Sequence, residues 1–264
     1  MHSFRTTNLT LPRGMFAAVS YNIHQCVGLD GRRDVARIAR VLGGLNAQLI
    51  GLQEVGTDTE DGRTSSQMEY LAKATGLQAI AGPTIERQTG PFGNVLLTSW
   101  HVLDSRLLDL SVPGREPRGA IDADLMIEGR PVRVIVTHLG LRAAERRYQV
   151  RRILEALSKG QSRFIIVLGD INEWVLRSRP LRWFYTRFGT PPAPRTFPSW
   201  LPLFALDRIW VLPREVLIEV HAHAKPLARI ASDHLPVKGL IAIDPAIHAD
   251  KRTPYAPRSR RLML

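Results

Sequence analysis

The chain has little cysteine: Cys26 is the only one in 264 residues. A disulfide within the chain is therefore excluded, and so is a metal site built from several thiolates. No apolar run approaches the roughly 20 residues that a transmembrane helix needs. The first residues also lack the apolar stretch and cleavage-like site of a secretory signal, so we expect a cytoplasmic protein, at most peripheral to a membrane.

Acidic residues are scarce relative to basic ones. The chain has 24 Asp and Glu against 36 Lys and Arg, a formal net charge of +12. Most of the excess lies in residues 142–152, 173–200 and 244–264. This clustering predicts an anionic phosphoester substrate, a nucleic acid or an anionic membrane surface as partner. Solvated arginine-rich faces without a partner are the alternative.

What is present is typical of a globular protein, with 44% hydrophobic and 23% charged residues. We expect one large domain over residues 15–243, since two-sheet α/β folds often reach this size as one unit. Residues 1–14 are interpreted as an N-terminal extension. Residues 244–264 are interpreted as a basic tail that we expect to be disordered.

Short apolar runs that end in polar residues predict buried strands, and helical patterns lie between them. Spacings of three and four predict helices over 34–46, 66–75 and 143–158. The stretch 177–202 contains six prolines among aromatics and arginines. We expect it to lack regular structure.

Side chains able to bind metal or phosphate fall at the ends of the predicted strands. They are Asn22, Glu54, His138, Asp170, Asn172, Asp207, Asp233 and His234. Strand ends of an α/β sheet meet at one rim, so these residues are expected to share a cleft. Each alone has an ordinary explanation, such as a turn residue or a core histidine. Their joint occurrence favours a site with hard oxygen ligands, which suits Mg²⁺ better than zinc.

Six motifs in order carry a resemblance to a known family. They are SYNIH, LQEV, THLGL, VLGDIN, LDRIWV and SDHLPV, and they cover about residues 15–242. Together they resemble the DNase I-like endonuclease/exonuclease/phosphatase superfamily. The resemblance implies an α/β fold, a four-layer α/β/β/α sandwich of two mixed β-sheets with helices on the outer faces. It also implies a divalent-metal-dependent phosphoester hydrolase.

The resemblance assigns the metal side of the site. Asn22 and Glu54 match the family's metal-site amide and carboxylate, with Glu54 the principal ligand. Asp233 matches a second metal-site carboxylate. Mg²⁺ is the implied cofactor, with Mn²⁺ as an alternative.

The resemblance also assigns the catalytic side. Asp170 matches the residue that activates or orients the attacking water, and Asn172 the residue that holds a phosphate oxygen. Asp207 and His234 match an Asp-His pair, and whether Asp170 or His234 is the base stays open. His138 is typical of the DNase I, sphingomyelinase and inositol-phosphatase branches and is absent from abasic-site endonucleases, so that reading is disfavoured.

Three further residues are expected at the substrate phosphate: Arg115, Arg118 and Asn94. The resemblance implies one arginine in REPRGAI and does not choose between the two. Asn94 stands where related branches carry a carboxylate that supports the histidine, which leaves the charge of His138 open. His24 is interpreted as structural.

The opening SYNIHQCVGLDGRRD resembles small bacterial members related to phospholipid metabolism and the sphingomyelinase-like branch. We therefore expect hydrolysis of a lipid-like or small phosphoester by in-line attack of water. A metal-dependent nuclease is the first alternative, and a non-catalytic nucleic-acid or membrane-binding module is the second. Trp183, Phe184, Tyr185 and Phe188 suit a membrane, nucleic-acid bases or simply the core.

Overall fold

The computed structural model describes residues 11–12, 14–60, 63–160 and 162–243. In this part of the chain the strands are β1 (Met15–Asn22), β2 (Leu49–Val55), β3 (Thr57–Glu60), β4 (Arg63–Ser66), β5 (Gln78–Arg87), β6 (Gly90–Thr98), β7 (His101–Asp109), β8 (Gly119–Ile127), β9 (Arg130–His138), β10 (Ile165–Asp170), β11 (Asp207–Leu212), β12 (Leu217–Ala222) and β13 (Val237–Ala242). The helices are α1 (Val35–Leu45), α2 (Gln67–Thr75), α3 (Ala143–Ser158), α4 (Arg179–Phe188) and α5 (Pro226–Ala231).

Two mixed sheets contain most of the strands. The six-stranded sheet has the order β12-β13-β1-β2-β6-β5, and the five-stranded sheet has the order β11-β10-β9-β8-β7. β1 runs parallel to β2 and β9 runs parallel to β10, and each pair is joined through a helix, α1 or α3. Parallel neighbours need such crossovers, whereas the antiparallel neighbours do not. β3 and β4 form a separate hairpin.

The two sheets pack face to face around an apolar core. Phe16 of the first sheet and Ile121 of the second are among its fully or almost fully buried members. Gly51 on β2 faces the opposite sheet, and a Cβ there would lie 3.0 Å from Val136 and 3.1 Å from Leu168. Glycine therefore permits the close approach of the sheets at this point.

Helices cover both outer faces. α1, α2 and α5 pack on the six-stranded sheet through side chains such as Ile38, Leu71 and Ala228. α3 and α4 pack on the five-stranded sheet through Ile153 and Phe184. The predicted four-layer α/β/β/α sandwich is confirmed.

The first three predicted helices are confirmed to within one or two residues. Asp34 caps α1 by accepting a hydrogen bond from the backbone N–H of Arg37 at 2.8 Å. α2 ends at Gly76, which has a φ of 70° and takes the left-handed conformation that favours glycine. α3 has the bounds that its periodicity predicts.

The expectation that 177–202 lacks regular structure is wrong for its first half. Ser178 caps α4 by accepting from the N–H of Leu181, and Pro180 lies in the first turn, where a missing N–H costs nothing. Phe184 is buried and stacks on Trp210, with ring centroids 4.4 Å apart. After Pro180 the prolines cluster beyond residue 190, which leaves a helical stretch between them.

The aromatics of α4 therefore divide by face. Phe184 and Phe188 are buried in the core, whereas Trp183 and Tyr185 are partly exposed.

Among the described residues, no helix is long and apolar enough to span a bilayer. The tail 244–264 and nearly all of the N-terminal extension lie outside the described residues.

Candidate active site

The ends of four strands meet at one rim. Asp170 is the last residue of β10, and its partners in sheet register are His138, at the end of β9, and Asp207, at the start of β11. β11 is antiparallel to β10, so its first residue lies at the same rim as the last residue of β10. Asn22 ends β1 of the facing sheet, and its amide reaches Asp170. The structure thus brings together side chains that are far apart in sequence.

Asp170 lies at the centre of these contacts and is buried. Its Oδ2 accepts from Asn22 Nδ2 at 3.1 Å and lies 3.5 Å from His138 Nε2 and 3.7 Å from His234 Nε2. Its Oδ1 accepts from the backbone N–H of Asn172 at 2.9 Å. One carboxylate oxygen therefore faces two imidazole rings.

Glu54 lies beside Asn22 on one side of Asp170. Asn22 Nδ2 donates to Glu54 Oε1 at 2.9 Å. The register between β2 and β6 shifts between Leu52 and Val55, and Glu54 has a φ of 58°. Such bulges redirect a side chain, and a left-handed conformation outside glycine is maintained only where the surrounding structure supports it.

This side of the site is rich in carboxylates. Burial raises the pKa of Glu54 above its ordinary value, the Asn22 hydrogen bond and His24 oppose that rise, and Asp233 and Asp170 add to it. Gathering these negative charges is unfavourable unless a cation joins them. Carboxylate and amide oxygens are the donor set that a hard divalent ion prefers, so the residues present fit such an ion.

His24 borders the same carboxylates, although the sequence suggests only a structural role for it. Its backbone N–H donates to Asn22 Oδ1 at 3.0 Å, and its Nδ1 lies 3.8 Å from Asp233 Oδ1. Both side chains are partly exposed. Its position two residues after Asn22 is the only sequence signal for this location.

A second acidic group overlaps the first. Among the described residues, Asp170, Asp207 and His234 offer ligand atoms that all lie within 4.8 Å of one another. However, Asp207 Oδ2 is already bonded to His234 Nδ1 at 2.8 Å. This hydrogen bond uses ligand atoms that a metal ion at the second group would need.

The Asp207–His234 pair determines the charge of the second imidazole. Burial alone would lower the pKa of His234, but Asp207 and Asp170 outweigh burial and raise it to about 10. Both residues are buried. His234 in this arrangement carries a positive charge at neutral pH, as expected for an imidazole oriented by a carboxylate.

His138 has the opposite electrostatics. Burial, together with the nearby Arg118 and His234, lowers its pKa to about 3, while Asp170 opposes the change. Its Nδ1 lies 3.0 Å from Arg118 Nη1, and its Nε2 lies 2.9 Å from Asn172 Nδ2. His138 is therefore neutral at pH 7. The sequence leaves this charge open, because Asn94 stands where related branches carry a carboxylate that supports the histidine.

Arg118, His138 and Asn172 form a corner rich in hydrogen-bond donors. The guanidinium and the amide both present N–H groups to a ring that can accept at one nitrogen only. Arg118 is almost fully buried. Its Nη2 pairs with Glu116 Oε1 at 3.1 Å, and its buried Nε has no hydrogen-bond partner among the described residues. An anionic oxygen is the acceptor that such a corner fits, and arginine matches phosphate especially well.

Two of the expected phosphate residues are placed elsewhere. Arg115 is partly exposed, and its Nε pairs with Glu145 Oε1 at 3.2 Å, near the start of α3. Asn94 donates to the backbone carbonyl of Gly119 at 3.0 Å, one residue after Arg118. Arg118 is therefore the arginine of REPRGAI that reaches the site, because it lies directly before β8, whose first residues pair with the end of β9.

Ser232 and Phe197 also contact the site, and both are hard to identify from the sequence. Ser232 Oγ donates to the carbonyl of Asn22 at 2.8 Å and accepts from the N–H of His234 at 3.2 Å, so it fixes the SDH segment against β1. The ring of Phe197 lies 4.8 Å from that of His234. Phe197 comes from the proline-rich stretch, and nothing in its local sequence indicates this contact.

Comparisons with known proteins agree with this geometry. The model of the Endonuclease/Exonuclease/phosphatase family matches residues 19–234. The uncharacterized protein YbhP of Escherichia coli (strain K12) is 29% identical over 248 residues, which cover 86% of this chain and 96% of that protein.

Solved structures show the same fold. An endonuclease/exonuclease/phosphatase from Beutenbergia cavernae aligns with a TM-score of 0.70 at 20% identity, covering 88% of this chain and 72% of that chain. A mannosyl-6-phosphatase from Bacteroides thetaiotaomicron aligns with a TM-score of 0.65 at 16% identity, covering 86% and 99%. Because the family model spans most of the sequence, this chain belongs to the Endonuclease/Exonuclease/phosphatase family, whose members hydrolyse phosphoesters.

Proposed function

We propose that this protein is a divalent-metal-dependent phosphoester hydrolase acting on a lipid-like or small phosphoester. The observation that carries the proposal is the meeting of two unlike groups at Asp170. Carboxylates around Glu54 lie on one side, and the donors of Arg118 and Asn172 lie on the other. A phosphate ester needs both, because a cation and hydrogen-bond donors must share its negative charge.

Glu54, Asn22 and Asp233 would hold the ion. We propose Mg²⁺, with Mn²⁺ as an alternative, because the donor atoms are hard oxygens. When bound, such an ion neutralises charge on the phosphate and leaving oxygens. His24 lies at the edge of this group, with its Nδ1 3.8 Å from Asp233 Oδ1.

Asp170 and the Asp207–His234 pair would prepare the water. Asp170 Oδ2 and His234 Nε2 are 3.7 Å apart, so one water molecule can contact both. Asp170 accepts its proton as the water oxygen bonds to phosphorus in line with the leaving oxygen. The phosphorus bond to that oxygen breaks, and the leaving alkoxide takes a proton from solvent water to become the alcohol.

Arg118, His138 and Asn172 would bind the non-bridging oxygens of the phosphate. The buried guanidinium supplies positive charge, and the amide and neutral imidazole supply directional hydrogen bonds. Asn172 has a φ of 51°, and its amide also donates to the carbonyl of Leu139 at 2.9 Å. These contacts hold the amide in place before substrate arrives.

A metal-dependent nuclease is the second candidate. The net charge of +12 and the exposed arginines on and near α4 favour a polyanionic substrate. A non-catalytic binding module is disfavoured, since such a module has no need for a complete set of buried catalytic groups. The cytoplasmic location expected from the sequence stays a prediction.

A turnover panel tests the proposal. Plasmid DNA, RNA, phosphodiester lipids and inositol phosphates would be incubated with the protein and Mg²⁺, with Asp170→Asn as the matched inactive control. We expect release of product from a lipid or small phosphoester, abolished by EDTA and absent in the control. Hydrolysis of nucleic acid alone would support the second candidate, and no turnover of any substrate would contradict the proposal.

A further inference from the structure

Two loops beside the site expose a continuous apolar surface, which we call the apolar rim. Its residues are 174–176, directly after Asn172 and Glu173, and 200–204, shortly before β11. Its exposed members are Trp174, Val175, Leu176, Trp200, Leu201, Leu203 and Phe204. Leu176 is 67% exposed and Trp200 is 62% exposed. Soluble proteins seldom expose so many neighbouring large apolar side chains without a use.

The second loop is held at its base by hydrogen bonds. The backbones of Phe197 and Phe204 exchange hydrogen bonds and form an isolated antiparallel bridge. The N–H of Ser199 donates to the carbonyl of Asp233 at 2.7 Å, and its hydroxyl donates to the carbonyl of Ser232. The base of the second loop is therefore fixed, while its tip at Trp200 stays in solvent.

The first loop is anchored equally well. Glu173 is buried and pairs with Arg146 at 3.1 Å, and it accepts the N–H of Val175 at 3.2 Å. The two loops also touch, because the ring of Trp174 lies 4.7 Å from that of Phe204. The rim is one surface contributed by two loops.

The rim adjoins the catalytic groups. Trp174 lies 5.7 Å from the ring of Phe197, which in turn lies 4.8 Å from the ring of His234. A substrate phosphate at His234 is thus separated from the rim by one aromatic side chain. Whatever the rim contacts would be next to the bond that is broken.

Exposed positive charge lies close to the rim along the chain. The stretch 173–204 contains five exposed arginines: Arg177, Arg179, Arg182, Arg187 and Arg195. Glu173 is the only acidic residue of 173–204, and it is neutralised by Arg146. Apolar side chains within a basic border match a bilayer with anionic headgroups, where the first insert and the second contact phosphate.

We propose that the apolar rim docks on an anionic phospholipid bilayer and that the substrate phosphoester lies in that bilayer. Four of the seven exposed rim residues are aliphatic, which suits acyl chains better than nucleic-acid bases, since bases stack on aromatic rings. The proposal of membrane docking rests on the rim alone. The proposal that the substrate lies in the bilayer also rests on the proposed function.

Vesicle sedimentation tests the docking. Wild-type protein would be mixed with vesicles of phosphatidylcholine alone and with vesicles of phosphatidylcholine and phosphatidylglycerol in a 3:1 ratio. We expect binding to the second and little binding to the first. L176S/L201S should weaken binding roughly 10–100-fold, because two inserted leucines are lost. R177A/R179A should weaken it roughly fivefold per arginine.

A matched control lies on the edge strand β7, where Leu103 and Leu107 are 45% and 57% exposed. L103S/L107S removes the same chemical groups away from the rim and should bind like wild type. Thermal melts followed by circular dichroism would show that each variant folds. W200S provides a second rim variant with the same expected loss of binding.

The outcomes separate docking from chemistry. Hydrolysis of the soluble bis(p-nitrophenyl) phosphate should be unchanged in L176S/L201S, while hydrolysis of vesicle phospholipid should fall with binding. If wild type binds vesicles but shows no hydrolysis, the proposed function is overturned and the docking proposal stands. Failure of wild type to sediment, or equal binding by L176S/L201S and L103S/L107S, would overturn the docking. The docking proposal would also be overturned if L176S/L201S lost binding to a single-strand oligonucleotide but kept its binding to vesicles.

Discussion

His138 and His234 are both buried, and both place Nε2 within 3.7 Å of the same oxygen of Asp170. Yet one has a pKa of about 3 and the other a pKa of about 10. The difference comes from the second partner: Arg118 faces Nδ1 of the first ring, and Asp207 faces Nδ1 of the other. The site thus has a donor-rich side, where the imidazole is neutral, and a carboxylate-rich side, where the imidazole is charged, so neighbours rather than residue type set the charge of the ring.

On the carboxylate-rich side, Glu54→Gln should cause the largest loss of turnover. The change keeps the shape and removes the negative charge that a divalent ion needs, so Mg²⁺-dependent turnover should fall on the order of 10⁴-fold. Calorimetric titration with Mg²⁺ should show weaker binding, and the exposed Glu86→Gln serves as the matched control. Wild-type turnover at saturating Mg²⁺ would remove Glu54 from the site.

The Asp207–His234 pair should act as one unit. Asp207→Ala and His234→Ala should each slow kcat roughly 10²–10³-fold, and the double variant should be about as slow as the slower single one. Steady-state kinetics on one substrate suffice for this double-mutant cycle. If the two defects multiply, the residues work independently and the pair is not a unit.

The donor-rich side should respond to Arg118→Met. Loss of the buried guanidinium should lower kcat/KM roughly 10–100-fold, because charge-assisted contacts to phosphate are lost. Removing that nearby charge should also raise the pKa of His138, which nuclear magnetic resonance of the ring can follow. Arg115→Met is the matched control, since Arg115 is exposed and pairs with Glu145 rather than with His138. Equal losses in both variants would contradict the assignment of Arg118.

The last expected effect is on stability in acid rather than on turnover. The folded pKa of His138 is depressed to about 3, so between about pH 6.5 and 3 the unfolded chain binds a proton that the folded protein does not. This lowers stability as pH falls, by about 3 kcal/mol at pH 4. Urea unfolding with EDTA present should show a steeper acid loss in wild type than in His138→Gln. The exposed His101→Gln should keep the wild-type slope.

The fold and the convergence of the strand ends could be predicted from the sequence. The apolar runs determine the strands, and Asn22, Glu54, His138 and Asp170 occupy their ends, so the pairing of β9 with β10 brings two of them into register. The helix α4 was missed, because six prolines within 177–202 obscure a proline-free helical stretch. The composition of a segment predicts its secondary structure poorly when the segment contains both a helix and a loop.

Other features depend on contacts between distant parts of the chain, which local patterns do not reveal. The choice of Arg118 over Arg115 depends on which arginine lies next to the end of β9, and the two are three residues apart in the same loop. The charge of His138 depends on its burial and, to a smaller extent, on that arginine.

The apolar rim likewise needs two loops to meet, and Trp174 and Phe204 are thirty residues apart along the chain. The strands, the residue types of the candidate site and their order could be predicted from local sequence patterns. The pKa values, the contacts and the exposed surface could not, because each depends on which distant side chains lie within a few ångströms of one another.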